Sequence, residues 1–195
     1  MITVDLLRHG ELVGGIKYRG QTDDPLTREG LASMYAVWKR LQNKVDLIIT
    51  SPLSRCRRPA MAWAESKGIE CIVDARLSEL HYGEWEGMTP DEIREKYPDL
   101  LEQWRRDPES VLVPGGESIH DFQARIAQFW EELCRNHKGQ RLLVVAHSGS
   151  IRMLIAEVMN APIISTRSMQ MPYASWSRVS HEKGNSHIEF LNRKP

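Results

Sequence analysis

The stretch Ile2-Thr3-Val4-Asp5-Leu6-Leu7, followed at once by Arg8-His9-Gly10-Glu11, decides how this chain folds. Its first half is short, largely apolar and rich in branched residues, the pattern of a strand covered on both faces, and its second half turns abruptly charged around a glycine. Runs of the same kind recur at residues 45–50, 70–73 and 142–146. Between them, apolar residues repeat at helical spacing. A helix starting at Thr27 places Leu31, Met34, Tyr35, Trp38 and Leu41 on one face, a second opening at Ser118 buries Ile119, Phe122, Ile126, Phe129, Trp130 and Leu133, and a third carries Ile151, Leu154, Ile155, Val158 and Met159. Thr89-Pro90-Asp91-Glu92 reads as the N-cap, first-turn proline and capping-box acid of a shorter helix. Strands alternating with helices predict an α/β fold, three layers α/β/α, with a mostly parallel central sheet.

The composition is consistent with that class. The chain has 195 residues, 41% of them hydrophobic and 27% charged, with Lys+Arg and Asp+Glu balanced at 26 each. These values exclude a disordered or strongly basic chain and argue against a nucleic-acid-coating surface. Length and the lack of an internal repeat or linker predict one domain spanning residues 1–195. No apolar run reaches the ~18 residues of a membrane span, and Asp5 and Arg8 interrupt the start too early for a signal peptide. Cys56, Cys71 and Cys134 are odd in number and form no CxxC, as expected of reduced thiols in the cytoplasm. The sequence leaves a homodimer open.

In sheets of this class, ligands bind beyond the carboxyl ends of the strands. Three expected strand exits are charged: Arg8-His9-Gly10-Glu11, Ser51-Pro52-Leu53-Ser54-Arg55 and His147-Ser148-Gly149. Two histidines and two arginines converging from these exits suit an anion. Guanidinium forks match phosphate oxygens, imidazole attacks or donates, and a helix beginning near Gly149 offers backbone N–H groups.

The same residues resemble the histidine phosphatases, or phosphoglycerate-mutase-like superfamily, across nearly the whole chain. The RHG motif stands as Leu7 to Glu11, PLTxxG as Pro25 to Gly30, SPLxR as Ser51 to Arg55, LxExxxGxWEG as Leu77 to Gly87, GGES within Pro114 to Ser118, and the second-histidine motif as Val144 to Gly149. The resemblance implies a phosphomonoester hydrolase acting on a small phosphorylated metabolite, without metal or cofactor. His9 would be the nucleophile, Arg8, Arg55 and His147 would hold the phosphoryl oxygens, and Glu79 would be the general acid, with Glu84, Glu86 and His81 behind it. Ser148, Glu11, Arg19 and Trp85 join them as phosphate or substrate contacts, Trp85 as a pocket wall with a core position as the alternative. Only 27 residues separate WEG from GGES, which favours hydrolysis over mutase chemistry. The stretch Tyr18 to Thr27 is most similar to bacterial α-ribazole phosphatases, with a broad-specificity phosphatase of small sugar, nucleoside or phosphoglycerate-type monoesters, or a phosphoglycerate mutase, as the alternative. A catalytically inert phosphate-binding or protein-interaction module is the non-enzymatic alternative, against which the presence of His9 and Glu79 counts.

Three departures from the family pattern bear on the pocket. Leu12 and Gly15 stand where many members have Thr and Asn, which implies a lost phosphate donor, and Pro59 stands where Thr is usual. His81, His120, His137, His181 and His187 read as structural or surface histidines. His81, His120 and Glu117 have no metal-ligand spacing.

Overall fold

The computed structural model describes all 195 residues. Six strands, β1 (Ile2–Arg8), β2 (Leu47–Thr50), β3 (Glu70–Val73), β4 (Arg141–Ala146), β5 (Trp176–Glu182) and β6 (Asn185–Arg193), form one sheet in the order β3-β2-β4-β1-β5-β6. The first four run parallel, while β5 lies antiparallel to β1 and β6 to β5. One face is covered by α1 (Arg28–Leu41) and α2 (Ser54–Lys67), whose Trp38 and Trp63 rings stack at 5.5 Å over Ile48, Leu143 and Val145. The other is covered by α5 (Ile119–Asn136) and α6 (Ser148–Met159), packed on Val4, Leu6, Leu142 and Val144. Two short helices, α3 (Pro90–Lys96) and α4 (Leu100–Arg106), close a small satellite core around Trp85, Ile93, Leu101 and Val113. The architecture is three-layer α/β with a mostly parallel sheet. No helix is long and apolar enough to cross a membrane.

The caps fall where the sequence places them. Thr27 and Ser118 accept from backbone N–H groups three residues on, and Thr89 and Glu92 form a reciprocal capping box. The buried face of α5 is the predicted one, residue for residue.

Two faces differ. In α1 the buried stripe is Met34, Val37, Trp38 and Leu41, whereas Leu31 and Tyr35 are 45% and 48% exposed. Both stripes satisfy helical periodicity and share Met34, Trp38 and Leu41; burial of Val37 in the core that contains Trp63 of α2 selects the second. Strand β3 is not covered on both faces, because it is the sheet edge and leaves Glu70 and Val73 exposed.

The antiparallel pair β5–β6 is the main element beyond the sequence reading. It turns at Lys183-Gly184, both with positive φ, 51° and 83°, as a two-residue hairpin of primed type requires. A buried ion cluster joins it to the parallel part. The Asp5 carboxylate on β1, fully buried, accepts from Trp176 Nε1 at 2.7 Å, Arg178 Nε at 2.9 Å and Arg141 Nε at 3.0 Å. Three strands are thereby fastened at one carboxylate.

Removing one partner of a buried charge network leaves the others uncompensated, at a cost of about 3–5 kcal/mol. Asp5→Ala is expected to lower unfolding free energy by that amount in urea titrations, with an unchanged denaturant slope. A loss under about 1 kcal/mol would show that the cluster contributes little.

Candidate active site

Because β2, β4 and β1 are neighbours, their carboxyl ends deliver Ser51–Arg55, His147-Ser148 and Arg8-His9 to one place. The chain must turn sharply after β1, and Gly10 makes this possible, since a Cβ there would overlap the Gly30 carbonyl at the start of α1. The turn is held by Thr27 N–H to the Glu11 carbonyl (2.9 Å) and by a bridge between Leu12 and Leu26. His9 Nδ1 lies 2.8 Å from the Gly10 carbonyl, which can only accept, so Nδ1 carries the proton and Nε2 keeps its lone pair. Burial first, then the charges of Arg8 and Arg55, holds the His9 pKa well below the ordinary imidazole value. The ring is therefore a neutral base in a cationic setting.

The second histidine has the opposite tautomer. His147 Nδ1 accepts from Arg55 Nε at 3.2 Å, which leaves the proton on Nε2 for Ser51 Oγ at 2.7 Å. It is fully buried, and burial followed by the Arg55 charge keeps its pKa low as well. Its ring centroid is 5.3 Å from that of His9, but it does not line the cavity in front of His9. In this structure it orients Arg55 from behind. Arg55 also donates to the carbonyls of Thr22 (2.7 Å) and Gly20 (2.5 Å), so the 20–22 loop and His147 fix its plane together. Arg8 donates to the Met171 carbonyl and stacks over Tyr173 at 4.0 Å, with its Nε unpartnered.

Glu79 faces this group from the far wall. Its Oε2 accepts from Gly149 N–H at 3.0 Å at the start of α6, and its Oε1 accepts from Leu80 N–H at 3.1 Å. Ser148 Oγ stands 3.5 Å from Oε2. A Cβ at Gly149 would overlap the carboxylate, so the glycine lets Glu79 approach the helix end. The segment before it is set by Arg125 of α5, which donates to the carbonyls of Arg76, Ser78 (2.7 Å) and Glu79 (3.1 Å) while Glu117 grips it with both carboxylate oxygens at 2.7 and 2.9 Å. Glu117 is the GGES glutamate, and its part in this clamp was not read from the sequence.

The competing acids are engaged elsewhere. Glu86 accepts from Gln21 N–H (2.9 Å), Thr22 N–H (2.7 Å), Thr22 Oγ1 (2.7 Å) and Tyr82 N–H (3.2 Å), anchoring the loop that holds Arg55. Glu84 is exposed and pairs with Tyr97 and Lys96. His81 Nδ1 accepts from Gly83 N–H.

The cavity, about 260 Å³, is lined by Arg8, His9, Arg55, Glu79 and Ser148, together with Tyr18, Tyr82, Tyr173, Lys17 and Arg105. Arg19 lies in its wall, but its guanidinium is committed to Asp24 (2.8 Å) and to the Val13 and Gly15 carbonyls, so it braces the loop. Glu11 is exposed and outside the lining. Trp85 is fully buried in the satellite core and forms no part of the pocket wall, because the Gly83–Trp85 turn points it inward onto Ile93 and Leu101. Tyr173 and Tyr82 supply that aromatic wall instead; Tyr173 sits in a loop with no motif to mark it. Leu12 lines the cavity, so an apolar side chain stands where the family pattern has a donor. The chain holds no group of three His, Cys, Asp or Glu placed to bind a metal ion.

The sequence profile of the histidine phosphatase superfamily (branch 1) matches residues 4–194. Phosphoserine phosphatase 1 of Hydrogenobacter thermophilus is 31% identical over 197 residues, covering 98% of this chain and 92% of its own length. The solved structure of a mycobacterial glucosyl-3-phosphoglycerate phosphatase with VO3 is similar at a TM-score of 0.86 and 30% identity, covering 97% of this chain and 98% of its own. The α-ribazole phosphatase of Shigella flexneri gives a TM-score of 0.86 at 23% identity over 98% of this chain and 96% of its own, a likeness of fold.

Both ring assignments are measurable. In ¹⁵N-labelled protein, His9 is expected as the Nδ1–H tautomer and His147 as the Nε2–H tautomer, neither protonating as pH falls from 7 to about 6. Because folding depresses both pKa values from 6.5, the unfolded chain takes up these protons first. The stability they contribute is therefore present above about pH 6.5 and lost as pH falls below it. Rings that titrate near 6.5 in the folded protein would contradict the assignment.

Proposed function

Since the chain belongs to the histidine phosphatase superfamily (branch 1), whose members act on small phosphorylated metabolites, we propose that it hydrolyses a phosphomonoester through a phosphohistidine at His9. The observation that carries this reading is the His9 Nδ1–H bond to the Gly10 carbonyl, which leaves Nε2 basic beside Arg8 and Arg55.

The phosphoryl group of the substrate occupies the floor of the cavity, its oxygens met by Arg8 and Arg55. Nε2 of His9 attacks phosphorus, the P–O bond to the leaving group breaks, and Glu79 gives its proton to the departing oxygen. Water then enters; Glu79, now a carboxylate, removes its proton as the oxygen attacks phosphorus, and the N–P bond breaks to release phosphate and neutral His9. Charge in such a reaction spreads over the nonbridging oxygens, so positioned cations do most of the work. Two guanidinium groups supply them here, and the reaction needs no metal ion. His147 contributes through Arg55. Ser148 Oγ, beside Glu79, is placed to touch the transferring group or the acid. The finer reading of the substrate is α-ribazole 5′-phosphate, supported by the likeness of Tyr18 to Thr27 to that subfamily; the 31% relative instead carries the name phosphoserine phosphatase.

Turnover of a phosphomonoester panel containing α-ribazole 5′-phosphate, O-phosphoserine and simple alkyl phosphates tests this reading. A poor leaving group needs its proton in the transition state and p-nitrophenolate scarcely does. Glu79→Gln should thus depress alkyl phosphate hydrolysis more than p-nitrophenyl phosphate hydrolysis by roughly 10²–10⁴-fold. Equal losses would reduce Glu79 to a positioning residue. Activity should also survive EDTA; loss of turnover restored by one divalent ion would contradict the metal-free mechanism.

A further inference from the structure

A second cavity, of about 170 Å³, lies across Tyr82 from the first. Its lining combines apolar side chains, Leu80, Trp104, Ile119, Phe122 and Met153, with two cationic ones, Arg152 and Arg167. No aspartate or glutamate lines it. Arg152 projects from α6 one turn beyond Ser148, is half-buried, and makes no hydrogen bond or ion pair; its Nε is fully buried and unpartnered. Arg167 is exposed and has only a 3.4 Å contact to the Trp104 carbonyl. Thr166 stands beside it on the lining.

An unpaired guanidinium facing an apolar-walled cavity is an unusual expense in a chain with equal numbers of acids and bases. Arg19, Arg55 and Arg125 have fixed protein partners, in turn Asp24, loop carbonyls with His147, and Glu117, and Arg8, whose Nε is likewise unpartnered, lines the first cavity. A buried N–H without a partner is tolerated where a ligand completes it. A guanidinium is suited to a planar or tetrahedral oxyanion, which it meets with two parallel N–H groups.

We infer that this cavity is a second oxyanion site, which takes a carboxylate or phosphate between Arg152 and Arg167. The group has two sources: the far end of a substrate whose phosphoryl group sits at His9, or a separate small anion. The first source rests on the catalytic reading above, and the second does not.

Inorganic phosphate titrated calorimetrically into the parent, Arg152→Gln and Arg167→Gln proteins tests the site. Two sites are expected in the parent and one in Arg152→Gln. Arg167→Gln, an exposed change that the fold tolerates, should weaken the second site about tenfold, in line with loss of one charge-assisted contact. Identical binding in parent and Arg152→Gln overturns the inference. A parent with a single site that Arg152→Gln abolishes supports this cavity and removes the phosphoryl pocket, so the two readings fail separately. Kinetics tell the sources apart. If the anion belongs to the substrate, the ratio of kcat/KM for O-phosphoserine to that for propyl phosphate falls about 10- to 100-fold in Arg152→Gln. If it is a separate anion, sulfate changes propyl phosphate turnover in the parent saturably and noncompetitively, and this response is lost in the variant.

Discussion

The hydrogen bond from His9 Nδ1–H to the Gly10 carbonyl settles which ring nitrogen is basic, and the rest of the site is arranged around that choice. Burial, aided by the charges of Arg8 and Arg55, keeps the ring neutral; the carbonyl determines where its one proton sits. It also fixes the ring against its own backbone, so the reactive nitrogen is aimed by β1 itself. That places a demand on the chain after β1, which has to turn at once against the first residues of α1, and only a glycine at position 10 fits there. The sheet order then follows as a functional matter: β2 and β4 lie beside β1, so their exits bring Arg55 and His147 to the same ring.

Much of the charge around the cavity holds polypeptide in place and would not touch substrate. Glu86 ties down the loop whose carbonyls orient Arg55, and Arg19 and Asp24 brace the same loop from the other side. Arg125 and Glu117 grip the segment that presents Glu79. These are charge-assisted contacts, to backbone or between side chains, of the kind that fixes a catalytic group more tightly than packing of a loop alone. Displacement of a reacting group by about 1 Å costs on the order of 10²-fold in rate, so these distant pairs matter to chemistry they never meet.

The parallel core and the strand exits were legible in the sequence because buried parallel strands are continuous apolar runs, and the change to charge at Arg8, Ser51 and His147 is abrupt. Helix α5 was legible to the residue, having one apolar stripe and a serine cap. Helix α1 was not, since its sequence carries two overlapping stripes and a tertiary partner chooses between them. The hairpin β5–β6 extends the sheet at one edge, and the interleaved polar residues of both strands, the exposed alternation of β6 and the Lys183-Gly184 turn are fainter signals than a continuous apolar run. Trp85 was misplaced for a related reason. A tryptophan beside a motif glutamate can face either way, and the positive φ of Gly83, 51°, turns it into the satellite core. Tyr173 carries no local pattern at all; only the fold brings it to the site.

The central claim is that Nε2 of His9 becomes phosphorylated during turnover. Rapid quench of the parent protein with ³²P-labelled substrate, peptide mapping and ³¹P NMR of the trapped species test it most directly. The account predicts an acid-labile, base-stable label on the peptide containing His9, attached through Nε2. Turnover without a covalent intermediate, or a label carried by His147, would contradict it.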